Sequence, residues 1–256
     1  RVHRTLGLMC NHKTSLCPLK PLAPKEKQLS MDARKEGLPL ETLFSDQYPQ
    51  VRRWLAPFIL ACSLYFLLWI PVDQPSWVSA LIKCQPILCL VVFLWAVAPG
   101  GSSTWLLQGA LVCSAVGDAC LIWPEAFFYG TAAFSVAHLF YLGAFGLTPL
   151  QPGLLLCTTL ASLTYYSFLL LHLEQGMVLP VMAYGLILNS MLWRSLVWGG
   201  SASWGAVLFT FSDGVLAWDT FVYSLPFARL VTMSTYYAAQ LLLILSALRN
   251  PGLKTH

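Results

Sequence analysis

Charge is scarce in this sequence. Only 10% of its 256 residues are Asp, Glu, Lys or Arg, where an ordinary soluble domain carries about 25%. Hydrophobic residues make up 57%. So little charge excludes a soluble enzyme, a disordered protein and a nucleic-acid-binding protein. What charge there is collects at one end. Residues 1–53 hold ten of the fifteen Lys/Arg and five of the eleven Asp/Glu. The remaining 203 residues carry five basic and six acidic side chains. The pattern is a polar tail followed by a body composed for lipid.

Several motifs are missing too. No Gly-x-Ser-x-Gly elbow is present, which removes the signature of a lipase-like serine hydrolase. A zinc hydrolase needs about three His or acid ligands; only His138 lies deep in an apolar run, with His172 at a loop. No Asn-x-Ser/Thr acceptor occurs, and no apolar core of a signal peptide precedes Trp54. Of eight cysteines, Cys10 and Cys17 lie in the tail and the other six in apolar runs. A disulfide framework is therefore not expected, and the thiols read as small apolar side chains.

The chain begins at Arg1, and residues 1–30 show no periodicity. Met31-Asp32-Ala33-Arg34 reads as a natural start, so the first thirty residues are treated as upstream of the native coding sequence. Residues 31–53 are amphipathic and end in Arg52-Arg53, an anchor at headgroup level. The expected organisation is a polar cytosolic tail over 1–53, a membrane domain over 54–248, and a short cytosolic tail over 249–256.

Apolar runs between Pro, Gly and polar breaks predict eight spans: 54–70, 77–97, 104–123, 126–146, 151–171, 177–198, 202–222 and 228–248. Each approaches the ~20 residues that cross a bilayer as a helix. The fold class is thus all-α, a polytopic transmembrane bundle. Its connections are too short for a soluble catalytic domain. Eight spans put both termini on one side, with Arg34, Lys35, Arg52, Arg53, Arg249 and Lys254, and Arg194 near that face. The other side shows Arg229 beside Asp73, Glu125 and Glu174. The positive-inside rule makes the termini cytosolic.

A charge at the bilayer centre is unfavourable by ~2.5–3.5 kcal/mol or more. Lys83, Asp118, Asp213 and Asp219 nonetheless stand inside spans, with Gln108, His138, Asn189 and Gln240 as uncharged company. Depth along each helix puts Lys83, Asp118 and Asp213 in one layer, slightly to the non-cytosolic side of centre. Asp219 is about one turn from the membrane face, within snorkelling reach. A single Lys–Asp pair can simply lock two helices together. One lysine does not neutralise two carboxylates, however, and two carboxylates in one place supply an acid and a base.

Asp118 and Asp213 are therefore the catalytic candidates. Lys83, His138 and Tyr141 are the candidates for substrate binding or tuning, joined by Ser114, Ser212, Asn189, Tyr236 and Gln240. For Asn189 and Gln240, interhelical hydrogen bonding is the plainer role. Asp118-x-x-Leu121 and Asp213-x-x-Leu216 lie 95 residues apart, as do Tyr141 and Tyr236, which hints at a four-plus-four internal repeat.

An intramembrane aspartyl protease matches poorly: Ala115 stands where that family has the first Gly of Gly-x-Gly-Asp, and Ser212 precedes Asp213 where it has Tyr. A closer pattern is Lys83-x-x-Pro86, Ser114-x-x-Gly117-Asp118-x-x-Leu121, His138-x-x-Tyr141 and Ser212-Asp213-x-x-Leu216-Ala217, in this order on the second, third, fourth and seventh spans. On these motifs the chain resembles the lysoplasmalogenase family of multi-span, YhhN-like membrane hydrolases over about residues 54–248. Its length and basic tail resemble the animal liver-type members. The resemblance implies hydrolysis of the vinyl ether bond of lysoplasmalogens. Products would be a fatty aldehyde and glycerophosphoethanolamine or glycerophosphocholine. It implies an endoplasmic reticulum location and a vinyl ether lysophospholipid and membrane lipids as partners. No nucleic acid, metal or cofactor is expected. A vinyl ether has no carbonyl to attack, so its cleavage starts by protonating carbon, a task for a positioned acid and a nearby carboxylate. The alternative from the residues is a proton-coupled transporter or channel, since buried Asp, His and Lys also build proton relays. Breaks at Pro86, Pro180 and Gly185 suit that reading, and a non-catalytic membrane scaffold is a third possibility.

Overall fold

A computed structural model describes residues 49–68, 75–98 and 100–248. Residues 1–48 and 249–256 of the predicted tails, with Met31, Cys10, Cys17, Arg249 and Lys254, lie outside these residues, as does Asp73. Within them the secondary structure is helical throughout. Eight α-helices run α1 (Pro49–Leu68), α2 (Trp77–Val97), α3 (Ser102–Cys120), α4 (Phe127–Phe145), α5 (Pro152–Leu169), α6 (Gln175–Trp198), α7 (Ser201–Phe221) and α8 (Ala228–Leu245). Single 3₁₀ turns precede α4 and follow α8. The eight predicted spans correspond to these eight helices one for one.

Several boundaries moved by one to five residues, two of them for clear local reasons. Helix α1 begins at Pro49, inside the segment read as tail. Proline suits a first turn, and Val51, Leu55 and Phe58 continue one buried stripe past the exposed Arg52 and Arg53. Helix α3 stops at Cys120, and Leu121 to Trp123 form the turn that Pro124 requires. Helix α2 opens on Ser76, whose hydroxyl accepts the Ser79 N–H at 3.1 Å, the usual N-cap arrangement.

Six helices are long and apolar enough to cross a membrane by length and composition. The two others, α3 and α7, are long enough but less apolar. They are the helices that carry Asp118, Asp213 and Asp219 among small residues. Their neighbours shelter them: α3 packs on α2 and α4, and α7 on α6 and α8. Small residues permit the approach. A Cβ on Gly117 would stand 2.6 Å from the Phe134 ring of α4, and one on Gly205 would stand 2.9 Å from the Leu243 backbone nitrogen of α8.

Helix contacts repeat with a period of four. Contacts α1–α2, α2–α3 and α3–α4 recur as α5–α6, α6–α7 and α7–α8. The two halves meet through α4–α6 and through α8–α2, which are the same contact after a shift of four helices. This is the arrangement that the 95-residue spacing of Asp118 and Asp213 suggests, and it sets the two acids on equivalent helices, α3 and α7.

Candidate active site

Each aspartate is met by side chains from two other helices. Asp118 of α3 is buried, and its Oδ1 lies 3.6 Å from Lys83 Nζ of α2. Its Oδ2 accepts the Tyr236 hydroxyl of α8 at 2.7 Å. Behind Tyr236 the bonds continue in one direction. Gln240 Nε2 donates to Tyr236 Oη at 3.2 Å, and Gln240 Oε1 accepts the Tyr141 hydroxyl of α4. Tyr141 and Gln240 are fully buried. The whole chain of donors, from α4 through α8 to α3, ends on the carboxyl group of Asp118. The Tyr237 hydroxyl donates to the Lys83 carbonyl at 2.8 Å and fixes α2 beside it.

Asp213 of α7 is held from the corresponding helices, α6 and α4, by different side chains. Its Oδ2 accepts the Tyr184 hydroxyl. His138 Nε2 lies 3.0 Å from Tyr184 Oη and 3.8 Å from Asp213 Oδ2. Tyr184 has one proton to give, and Asp213 receives it. The His138–Tyr184 bond therefore uses an Nε2–H of His138 as donor. His138 Nδ1 is buried and has no hydrogen-bond partner among the described residues. Between the two networks stand Phe209 and Phe134. Phe209 lies edge-on to both His138 and Tyr236, at 4.7 and 5.4 Å between ring centres.

Both acids open on one space. A cavity of about 1010 Å³ has mostly apolar walls, with Lys83, Asp118, Asp213, Tyr184, Tyr236 and Asn189 among its lining. That is at the upper end of ~300–1,000 Å³, typical for small-ligand sites. Asp213 presents more of its side chain to this space than Asp118 does, 17% against 3%. Arranged so, two carboxyl groups face an apolar volume suited to an alkyl chain. Among the described residues, no group of three or more His, Cys, Asp or Glu is placed to hold a metal ion.

The remaining predicted residues divide. Ser114 is fully buried one turn from Asp118 on α3. The Ser212 hydroxyl donates to the Thr232 carbonyl at 2.9 Å and ties α7 to α8 beside Asp213. Asn189 joins neither network. It accepts from Ser162 at 3.0 Å and donates to Thr159 at 3.2 Å, linking α6 to α5 on the cavity wall. Asp219 does not snorkel freely: its Oδ1 accepts the Leu225 N–H at 2.7 Å in the turn before α8. Arg194 is buried rather than spread on a membrane face, and it donates to the carbonyls of Gly146, Pro149 and Thr148 at 2.5, 2.6 and 3.0 Å.

Tyr184 is not among the residues that the sequence singles out. A tyrosine in an apolar helix carries no mark of its partner. The signal available was its neighbour Gly185, where a Cβ would collide with the Tyr166 ring of α5. A glycine needed for close approach, next to a hydroxyl, marks a packed polar site.

Fold and site together define a polytopic helical membrane protein with a pair of aspartates on one internal cavity. The model of the YhhN family matches residues 78–247. The chain is 89% identical over 210 residues to the Rattus norvegicus protein named lysoplasmalogenase TMEM86B, covering 82% of this chain and 90% of that one. It is 66% identical over 225 residues to the Homo sapiens protein of that name, covering 88% of this chain and 100% of that one. To the Bos taurus protein named lysoplasmalogenase TMEM86A it is 42% identical over 216 residues, covering 77% and 89%. No solved structure matches. This chain belongs to the YhhN family.

Proposed function

We propose that this protein is a lysoplasmalogenase, which hydrolyses the vinyl ether bond of lysoplasmenylethanolamine or lysoplasmenylcholine. The products are a fatty aldehyde and the corresponding glycerophospho compound. The observation that carries this reading is the shared apolar cavity onto which Asp118 and Asp213 both open. The relatives named lysoplasmalogenase support it.

In the proposed reaction Asp213, the more exposed acid, gives its proton to the alkenyl β-carbon. The positive charge then rests on the adjacent carbon and ether oxygen. Asp118, paired with Lys83, stabilises that oxocarbenium ion and takes a proton from the water that adds to it. The hemiacetal so formed collapses to aldehyde and alcohol, and the proton left on Asp118 is exchanged with water or returned to Asp213. Tyr184 and His138 orient Asp213; Tyr236, Gln240 and Tyr141 orient Asp118. Every hydrogen in these two chains points toward a carboxyl group, so each acid is oriented by its own hydrogen bonds. The termini face the cytosol in this reading, with Arg52 and Arg53 at the start of α1 on that side, and the membrane is that of the endoplasmic reticulum.

The test is direct. Purified protein in detergent is given lysoplasmenylethanolamine, and aldehyde is followed with a coupled reductase. Turnover without any membrane gradient is expected. No aldehyde from either vinyl ether lysolipid, with protein of native melting behaviour, would remove the proposal.

A further inference from the structure

Beside the large cavity lies a smaller chamber of about 200 Å³, at the end of the bundle where α2 and α8 begin and α3 and α7 end. The two spaces share a wall that includes Lys83 and Thr232. Its chemistry is different from that of the large cavity. Arg229 and Asp219 line the small chamber and not the large one. Arg229 is positioned by Tyr65, whose hydroxyl accepts from its Nε at 3.2 Å and whose ring lies 5.6 Å from the guanidinium carbon. A cation and an anion thus stand in one small space.

Two groups on the shared wall have hydrogen-bonding capacity left over. The Lys83 ammonium carries three donors, and its near partner is one Asp118 oxygen at 3.6 Å. The Thr232 hydroxyl is buried, at 8% exposure for the residue, and has no hydrogen-bond partner among the described residues. A buried unpaired hydroxyl is unfavourable by about 1–3 kcal/mol and calls for an explanation.

Arg229, Thr232 and Tyr236 follow one another at i, i+3 and i+7 on one face of α8. At ~1.5 Å per residue the arginine is about 10 Å along the helix from the tyrosine that holds Asp118, with the threonine between. In a lysoplasmalogen, the glycerol unit separates the vinyl ether oxygen from the phosphate and carries a free hydroxyl at its middle carbon. Resting on the lysoplasmalogenase reading, we propose that the smaller chamber is the headgroup site. Arg229 and Lys83 bind the phosphate, Asp219 faces the amine, and Thr232 takes the free glycerol hydroxyl. The alkenyl chain passes from there into the large cavity. The same threonine then selects lysolipids, since an acyl chain at the middle carbon would remove the hydroxyl it binds.

The experiment reads binding, not turnover, on the full chain in detergent. The probes are a saturated 1-O-alkyl lysophosphoethanolamine, which has no vinyl ether, and the 1-O-alkylglycerol of the same chain length. Tryptophan fluorescence reports the titrations. The unaltered protein is expected to bind the phospholipid at least tenfold more tightly than the alkylglycerol; Arg229→Gln lowers that ratio at least threefold, whereas Thr232→Val weakens both lipids at least threefold, because both carry the middle hydroxyl. Glycerophosphoethanolamine is expected to compete at concentrations where inorganic phosphate does not. Equal affinity of the unaltered protein for the two lipids would overturn the assignment, whether or not the variants fold. So would a preference that survives Arg229→Gln, unchanged binding of both lipids by folded Thr232→Val, or equal competition by inorganic phosphate, which would mark a plain anion site. Failure of vinyl ether hydrolysis in the aldehyde assay sinks the proposed activity instead and leaves this binding result legible.

Discussion

Tyr184 donates its hydroxyl to Asp213 while standing 3.0 Å from His138 Nε2. One side chain thus joins the acid to a histidine that otherwise lies 3.8 Å away. Removing the hydroxyl in Tyr184→Phe deletes a hydrogen bond to the carboxylate that forms as Asp213 gives up its proton, about 1.5–3 kcal/mol. Turnover is expected to fall about ten- to hundredfold, at roughly 1.4 kcal/mol per factor of ten, with folding retained. Steady-state kinetics on the purified variant check this. A kcat within twofold of the original would show that Tyr184 does not position the acid.

Half-buried Lys83 pairs with the buried Asp118, so removing the lysine alone is expected to be harmful. Lys83→Met leaves a carboxyl group without its partner, a loss of about 3–5 kcal/mol. A lower melting temperature in detergent and lost turnover are expected. Adding Asp118→Asn to Lys83→Met removes the orphan and should restore much of the melting temperature, but none of the turnover. Recovery of activity in the double variant would contradict the role of Asp118.

Close approach of α3 and α4 depends on the absence of a side chain at position 117. Gly117→Ala places a methyl group against the Phe134 ring, and overpacking of this kind is unfavourable by about 1–3 kcal/mol. Phe134 also lies 6.0 Å from the Tyr236 ring, edge-on. The variant is therefore expected to lose both thermal stability and turnover. A stability loss with unchanged kcat would separate the packing of Phe134 from the setting of Tyr236.

Arg194 has a different task. It satisfies three carbonyls of the α4–α5 connection far from the acids in sequence. Arg194→Gln is expected to lower the melting temperature, at about 1–3 kcal/mol for a buried acceptor left unpaired. Its kcat and KM per folded molecule should stay close to the original. A selective change in KM would show that the loop contributes to the site.

Much of this was legible in the sequence. Eight helices follow from runs of apolar residues broken by Pro and Gly, because a bilayer-length helix leaves a signal about twenty residues long. Asp118, Asp213 and Lys83 stand out because a charge in such a run is unfavourable, and they do line one cavity. Their partners were less visible. Tyr236 and Gln240, and Tyr141 behind them, could be listed as polar candidates, but not ordered into a chain of donors ending at Asp118. Tyr184 and Thr232 were missed because a hydroxyl in an apolar helix gives no sign of what it faces. Arg229 read as a loop charge on the far side, and only the packing of α8 against α2 brings it beside Lys83.

The most direct measurement is the aldehyde assay on purified Asp213→Asn and Asp118→Asn with lysoplasmenylethanolamine, alongside melting curves in the same detergent. Loss of a positioned acid or base lowers a rate by about 10²- to 10⁴-fold. A fall of that size is expected in each variant, with a cooperative melting transition retained. Turnover near that of the unaltered protein in either folded variant would contradict catalysis by the aspartate pair.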